Sequence, residues 1–471
     1  MATIETSLLG LRTFPTSGDP QGRSAPVRQI WRPRIWHPRI WHQWGAIAIA
    51  ALVLPACVNT KYKTNAPLQA YAVADEPRAA QVGREILDGG GTAADAVAAM
   101  ALTMSVTLPS RVGLAGGGVC VVFDAAKKET RTLDFLPRTA RPVTPAAPGL
   151  LRAMAALQAT TGAFRWEQVV VPAEVLAANN PGISRAFAED LAANAASLTD
   201  AEARRIFQPA GRPLAEGSPL SQPELAALLG RIRLNGFGAL YGGNTGDALA
   251  TAVGADTASL RARQPRWGGT ASVPMGSYAL HFPDLPEQPS GKALAAAWTA
   301  GMAASDAQRV QRALAALPNT GAAEAPAAGV AAMDGRENAV ACALTMGAPF
   351  GTGSMVPGTG LLTARGVQSA GFGAPAVISN SIVGRTILSS VGTAKGGDGP
   401  AAAAAALFGA LLPVIDSDRL PSDVLAATPP TAPGRADIIG CRLDPSNELK
   451  GCQAVADPRG RGVAHSLDIP R

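Results

Sequence analysis

The sequence predicts a layered α/β fold, with helices packed around sheets. Three observations point there. The 471 residues are 47% apolar and only 16% charged, enough to bury a large core in one large domain or two. Helical rhythm dominates the first part of the chain and is broken by one glycine-rich strand pair. Strand patterns return near the end, and this grouping of helices and strands favours layers.

The first elements concern targeting. Residues 1–57 read as a basic leader and a lipoprotein-like signal. RQIWRPRIWHPRIWHQW (28–44) gives way to GAIAIAALVLPAC (45–57), an apolar run too short for a comfortable membrane span. The closing LPAC resembles a bacterial lipoprotein signal. It would make Cys57 the lipidated first residue of an exported, periplasm-facing envelope protein held by a lipid anchor. Other processing, an uncleaved anchor and cytoplasmic retention stay open. Residues 58–77 read as a tether or extended lead.

A large region spans 78–318. AAQVGREILDGGGTAADAVAAMALTMSV gives two helices about a glycine break, with Asp95 in the opening turn of the second, where a carboxylate suits the free amides. LPSRVGLAGGGVCVVFDAAKKETRTLDF reads as a glycine turn and two strands joined at DAAKKET. Three helical segments follow between 150 and 240, the last opening at Ser221 and Pro223. SVPMGSYALHFPDLP is an extended piece. Residues 319–328 form a linker. In the second region, 329–424, GVAAMDGRENAVACALTMGAPFGTG gives two strands about a tight turn, and VISNSIVGRTILSSVGTA gives two more. KGGDG then leads into the helix AAAAALFGALL. The tail, 425–471, reads as proline-rich and irregular.

Charge excludes one class of partner. The net charge is +6, but without the six arginines and two acids of residues 1–56 the 41 basic and 35 acidic residues become 35 and 33. No basic excess remains to grip a nucleic-acid backbone. Of the five cysteines, Cys120 and Cys342 lie in apolar strand-like runs and read as buried small hydrophobes. Cys441 and Cys452 flank the polar loop RLDPSNELKG, and a disulfide closing it suits an oxidising compartment. The four histidines sit at no metal-ligand spacing, so neither a metal nor a cofactor is implied. A serine triad would need His281 or His465, and no GxSxG elbow is present.

Several collinear segments between about 75 and 410 together resemble the gamma-glutamyltranspeptidase family. They are GREILDGGGTAADAVAAMALTMSV, LAGGGVCVVFD, PGLLRAMAALQATTGAFRWEQVVVPAEVLA, PLSQPELAALLGRIRLNGFGALYGG, GRENAVACALTMGAPFGTG and GTAKGGDGP. The resemblance implies a four-layer α/β/β/α sandwich of the N-terminal nucleophile hydrolase type. It also implies a proenzyme that cuts itself ahead of a threonine, whose freed amine then serves as base. The implied substrates are gamma-glutamyl amides such as glutathione.

The chain departs from that pattern where the chemistry lies. Asp334 and Asn338-Ala339-Val340 match the family's aspartate and NAV. Counting back without a gap puts the nucleophile at Ala327, its neighbour at Ala328 and the family's histidine at Gly329. The asparagine before FGTG falls at Gly347, GLLTARGVQ replaces an acidic run, and the family's paired serines reduce to Ser379. The arginine that grips the substrate carboxylate is matched by Arg138 if Leu136 and Pro137 are inserted, with Arg141 as competitor. Gly396 and Gly397 match the oxyanion glycines, or form a plain turn. Thr320, Thr345 and Cys342 are the remaining nucleophile candidates, each with a defect. Thr320 lies in the linker, Thr345 has no free amine beside it, and Cys342 has no visible histidine. Three functions follow as expectations. The first is a catalytically degenerate member that binds a small gamma-glutamyl or amino-acid-like ligand or an unidentified envelope partner. The second is an active hydrolase or transferase using Thr320. The third is an unrelated enzyme or structural lipoprotein.

Overall fold

The structure, a computed structural model, describes residues 68–138, 145–285, 290–300, 308, 310–312, 315, 327–367, 374–394, 399–416, 419–443 and 449–469. All of them belong to the unit Asn65–Arg471. Cys57, Arg141, Thr320, Gly396 and Gly397 lie outside the described residues.

The strands are β1 (Leu68–Ala74), β2 (Gly117–Asp124), β3 (Glu129–Asp134), β4 (Arg266–Gly268), β5 (Thr270–Met275), β6 (Tyr278–Pro283), β7 (Ala327–Met333), β8 (Ala339–Thr345), the short pair β9 (Met355–Val356) and β10 (Leu361–Leu362), β11 (Ala374–Asn380), β12 (Arg385–Thr393), β13 (Arg435–Leu443), β14 (Leu449–Val455) and β15 (Val463–Ile469). One sheet runs β15-β1-β7-β8-β2-β3-β4, and the other runs β14-β13-β12-β11-β6-β5. Every strand pair in both is antiparallel. The sheets stack face to face, with β12 lying across β7 and β8. Helices α1 (Pro77–Asp88) and α2 (Ala93–Thr107) cover the outer face of the first sheet. On that side, α3 (Leu150–Thr161), α4 (Trp166–Ala178), α5 (Arg185–Asn194), α6 (Ala201–Phe207), α7 (Pro223–Asn235), α8 (Gly243–Val253) and α9 (Thr257–Ala262) extend the same hydrophobic core. Helices α10 (Ser290–Ala300), α11 (Gly399–Asp416) and α12 (Pro421–Ala426) cover the second sheet. This is the four-layer α/β/β/α sandwich.

Side-chain size follows from the layering. Helix α2 is buried at every position, between α1, α3, α4 and the sheet. A helix buried all round shows no polar stripe, and its alanines let four neighbours approach. Strands β7 (AAGVAAM) and β8 (AVACALT) are buried on both faces. Ala328, Val330 and Ala332 face the helices, whereas Ala331 and Met333 face the second sheet.

Two carboxylates lock the helix pair to the sheet. Asp95 closes a capping box with Thr92 and also accepts from the amides of Ala163 (2.8 Å) and Phe164 (3.3 Å). Asp334 accepts from the Ala93 amide at the start of α2 (2.9 Å) and from the Asn338 side chain (2.9 Å). Asn338 in turn accepts from the Ala125 amide in the β2–β3 hairpin (3.0 Å). The Asp and Asn of DGREN therefore hold three elements together.

The structure corrects four expectations. The extended lead contains β1, which pairs with β15 on one side and β7 on the other. The tail is not irregular, since it supplies β13, β14 and β15. The linker ends earlier, because Ala327 and Ala328 already belong to β7. Cys120 and Cys342 are not separate hydrophobes; they sit opposite each other on β2 and β8 and form a disulfide. A second disulfide joins Cys441 and Cys452 across β13 and β14.

The carboxyl of Asp437 on β13 is fully buried beside Asp75 and Asp457. One of its oxygens accepts from the Asp457 amide, and the other has no partner among the described residues. Burial, then the Asp75 charge, raise its pKa well above the ordinary carboxyl value. A raised folded-state pKa gives stability that is full below the unfolded value, about 3.9, and is lost as pH rises through the folded value. The permanently neutral Asp437→Asn is therefore expected to melt higher than the parent at pH 7 to 8, an advantage that fades toward about pH 4. Melting curves across that range check it, and a pH-independent difference would contradict it.

Candidate functional site

The end of the sandwich where β7 begins and β8 ends is where the family pattern places its chemistry. Ala327, Thr345 and Gly117 lie directly opposite one another on β7, β8 and β2. Ala327 and Thr345 are both buried. Ala327 carries no heteroatom on its side chain. The Thr345 hydroxyl accepts from the Gly347 amide at 3.0 Å. A hydroxyl held as an acceptor inside a sheet is a structural group unless a base is placed to deprotonate it.

Neither described histidine supplies that base. His281 on β6 pairs its Nδ1 with the Thr270 hydroxyl (2.8 Å), and burial pushes its pKa down to about 4. His465 on β15 stands opposite Ala72, which is opposite Ala332, so it shares their helix-facing side. Burial, then Arg84, lowers its pKa as well.

Two residues further along the sheet from Gly117 and Thr345, on the same face, Val119 and Ala343 enter an apolar cluster. Val119, Leu136, Leu285, Ala343, Val367 and Val391 form one buried cluster between the sheets. Two glycines mark close approaches at this end of the sandwich. A Cβ at Gly329, where the family has histidine, would lie 2.6 Å from Val391 Cγ1. At Gly347, where the family has asparagine, φ is +77° and a Cβ would lie 1.9 Å from the Arg365 carbonyl oxygen. The local backbone admits no side chain there.

The other site residues fall into two places. Arg138 lies at this end, donating to both oxygens of Asp134 (2.8 Å each) and bridging to Val367. Ser379 does not join it. Its hydroxyl meets Thr130 (3.0 Å), which is opposite Phe123, six residues along β2 from Gly117 and so about 20 Å away. Ser379 is thus a contact between sheets at the far end of the sandwich. Cys342 is removed as a thiol by its disulfide. Thr393, the last residue of β12, lies beside Gly329, and Gly396 and Gly397 lie outside the described residues.

Arg138 also lines a cleft of about 340 Å³, together with Asp134, Leu136, Arg152, Arg263 and Arg266. Arg266 donates to Asp134 at 2.7 Å. Arg263 donates to the carbonyls of Leu136 (2.9 Å) and Arg138 (3.3 Å), and its pKa is lowered by burial first and by Arg138 next. Sequence reasoning missed Arg152, Arg263 and Arg266. Only Arg152 left a signal, as one charge in the apolar run LLRAMAALQ on α3.

Two stacked antiparallel sheets between helical layers define the N-terminal nucleophile hydrolase class of fold. A sequence profile of the gamma-glutamyltranspeptidase family matches residues 79–298 of this chain. Glutathione hydrolase proenzyme of Bacillus subtilis (strain 168) is 28% identical over 200 residues, covering 38% of this chain and 34% of that protein. Glutathione hydrolase 7 of Homo sapiens is 30% identical over 190 residues, covering 37% and 29%. The matches thus span about a third of these relatives' length. The crystal structure of cephalosporin acylase from Bacillus halodurans superposes with a TM-score of 0.68 at 18% identity, covering 85% of this chain and 96% of that one, a likeness of fold.

The closure at Gly347 has a measurable consequence. Gly347→Ala is expected to lower the unfolding free energy by about 2 kcal/mol or more, because a strained φ and a backbone clash act together. Gly269→Ala, where nothing lies within 4 Å, should stay within about 0.5 kcal/mol of the parent. Urea denaturation of the two variants checks this, and equal stabilities would contradict the closed site.

Proposed function

We propose that this chain is a catalytically degenerate member of the gamma-glutamyltranspeptidase family. On this reading it neither cuts itself nor hydrolyses gamma-glutamyl amides, and it uses the scaffold to bind a small ligand beside Arg138. The observation that supports it most is the row Ala327–Thr345–Gly117. In that row Ala327 carries no heteroatom, and the Thr345 hydroxyl accepts from the Gly347 amide inside the sheet. Losing the nucleophile removes the covalent route, and remaining oxyanion donors would leave only residual rate enhancement.

Purified protein should release no product from gamma-glutamyl-p-nitroanilide above a boiled control. Turnover that disappears in Thr320→Ala would overturn the reading in favour of a displaced nucleophile.

We also propose an exported, lipid-anchored protein, supported by the LPAC motif and by two disulfides that suit an oxidising compartment. Palmitate labelling should mark the parent and be lost in Cys57→Ala. An unlabelled protein that retains residues 1–56 would contradict the anchor.

A further inference from the structure

We infer that the far end of the sandwich, opposite the Ala327–Thr345–Gly117 row, rests on a phospholipid bilayer, with Ile382 and Val383 entering its interface. This rests on the reading of the chain as lipid-anchored and gives the anchored body an orientation. The turn between β11 and β12 reads Asn380-Ser381-Ile382-Val383-Gly384. Turn crowns ordinarily hold glycine, proline, asparagine, aspartate or serine, each for a backbone reason. Here two β-branched apolar residues stand at the crown, Ile382 73% exposed and Val383 56% exposed. Ile382 is the most exposed large apolar side chain among the described residues. Apolar surface held in water is unfavourable, and an interface that removes it from water relieves this.

The crown is fixed in that attitude. Asn380 Oδ1 accepts from the amides of Ile382 (2.9 Å) and Val383 (3.2 Å), and the Asn380 carbonyl accepts from the Gly384 amide (2.9 Å). Gly384 has φ +72°, and a Cβ there would lie 2.7 Å from the Ala125 carbonyl oxygen, so the crown sits against the β2–β3 turn. From that turn Lys128 donates to the Ile382 carbonyl (2.6 Å). A backbone held this way loses little entropy when its exposed side chains meet a surface. Lys128 is itself exposed, and an ammonium at the foot of an apolar tip suits the phosphate level of a bilayer. Acids share this end, Glu129 beside Arg131 and Glu337 beside Arg385, so the apolar crown rather than net charge carries the contact.

The first strand begins at the same end. Tyr71 on β1 is opposite Met333, the last residue of β7, and Leu68 lies three residues farther out. Met333 is opposite Ala339, which is opposite Phe123, so the β7–β8 and β2–β3 turns close this end as well. The eleven residue steps from Cys57 to Leu68 reach about 40 Å at most. Presenting the opposite end of the sandwich to the membrane would take up about 20 Å of that reach in running back along β7. A short tether also keeps the crown at high effective concentration beside the surface. A contact of two side chains, too small to hold a protein by itself, then suffices to set the orientation.

Fluorescence on the full chain in vesicles of phosphatidylethanolamine and phosphatidylglycerol tests this. Ile382→Cys and Gln264→Cys are each labelled at the new thiol with the environment-sensitive fluorophore NBD. Both positions are exposed, so neither change disturbs the core, and Gln264 lies beside Arg138 at the opposite end. Lipid spin-labelled near the headgroup should quench position 382 about twofold or more and shift its emission to the blue, leaving position 264 unchanged. Adding Val383→Asp should reverse most of that quenching. A vesicle-bound chain in which position 382 stays in water, or in which both positions quench alike, would overturn the inference and leave the anchor standing. A blue shift at position 382 that needs no vesicles and grows with protein concentration would also overturn it, assigning the crown to a second copy of the chain. Palmitate labelling reports the anchor separately. An unlabelled chain whose position 382 still enters the bilayer sinks only the anchor, and an unlabelled chain that never joins the vesicles sinks both.

Discussion

Everything in the first sheet depends on where Asp334 spends its two oxygens. One accepts from the first amide of α2 and from Asn338, and the other from the backbone of its own turn. Because Asn338 passes the connection on to the β2–β3 hairpin, a single buried carboxylate fixes helix, hairpin and hairpin against one another. Burial raises the Asp334 pKa, and the hydrogen bonds it accepts oppose that shift. A buried charge of this kind is tolerable only while all its partners are in place. Asp95 does the same work at the other side of α2, where it gathers the ends of two helices.

On the proposed reading, this division of labour lets a family pattern survive without its chemistry. The motifs that persist, around Asp95 and from Asp334 to Val340, are the ones that hold elements together. The positions that the resemblance aligns with the family's reaction are alanine and glycine in this chain. Val391 occupies the space above Gly329, and the Arg365 backbone presses on Gly347.

Much of the scaffold was legible in the sequence. The α1–α2 pair, the β2–β3 hairpin and the β7–β8 hairpin each carry local signals: a glycine break, a polar turn, a DGREN turn. What stayed hidden depends on distant partners. LQAYAVA shows little alternation, and it becomes a strand because Gln69 meets Asp468 on one side and Val73 meets Ala331 on the other. The proline-rich tail disguised three strands for the same reason. Cys120 and Cys342 are 222 residues apart, and only the register of β2 against β8 brings them together. The cleft was least legible, since its arginines come from a loop, a helix, a second loop and a strand. Ser379 was placed by resemblance alone, and its contact with Thr130 puts it at the wrong end of the sandwich.

The central claim is that residue 327 cannot begin a catalytic chain. Intact mass measurement of the purified, reduced protein tests it most directly, since reduction frees any fragments that the Cys120–Cys342 disulfide would hold across a cut. The expected result is one polypeptide running unbroken through residue 327 after prolonged incubation. Two fragments, the second beginning at Thr320 or at Ala327, would contradict it.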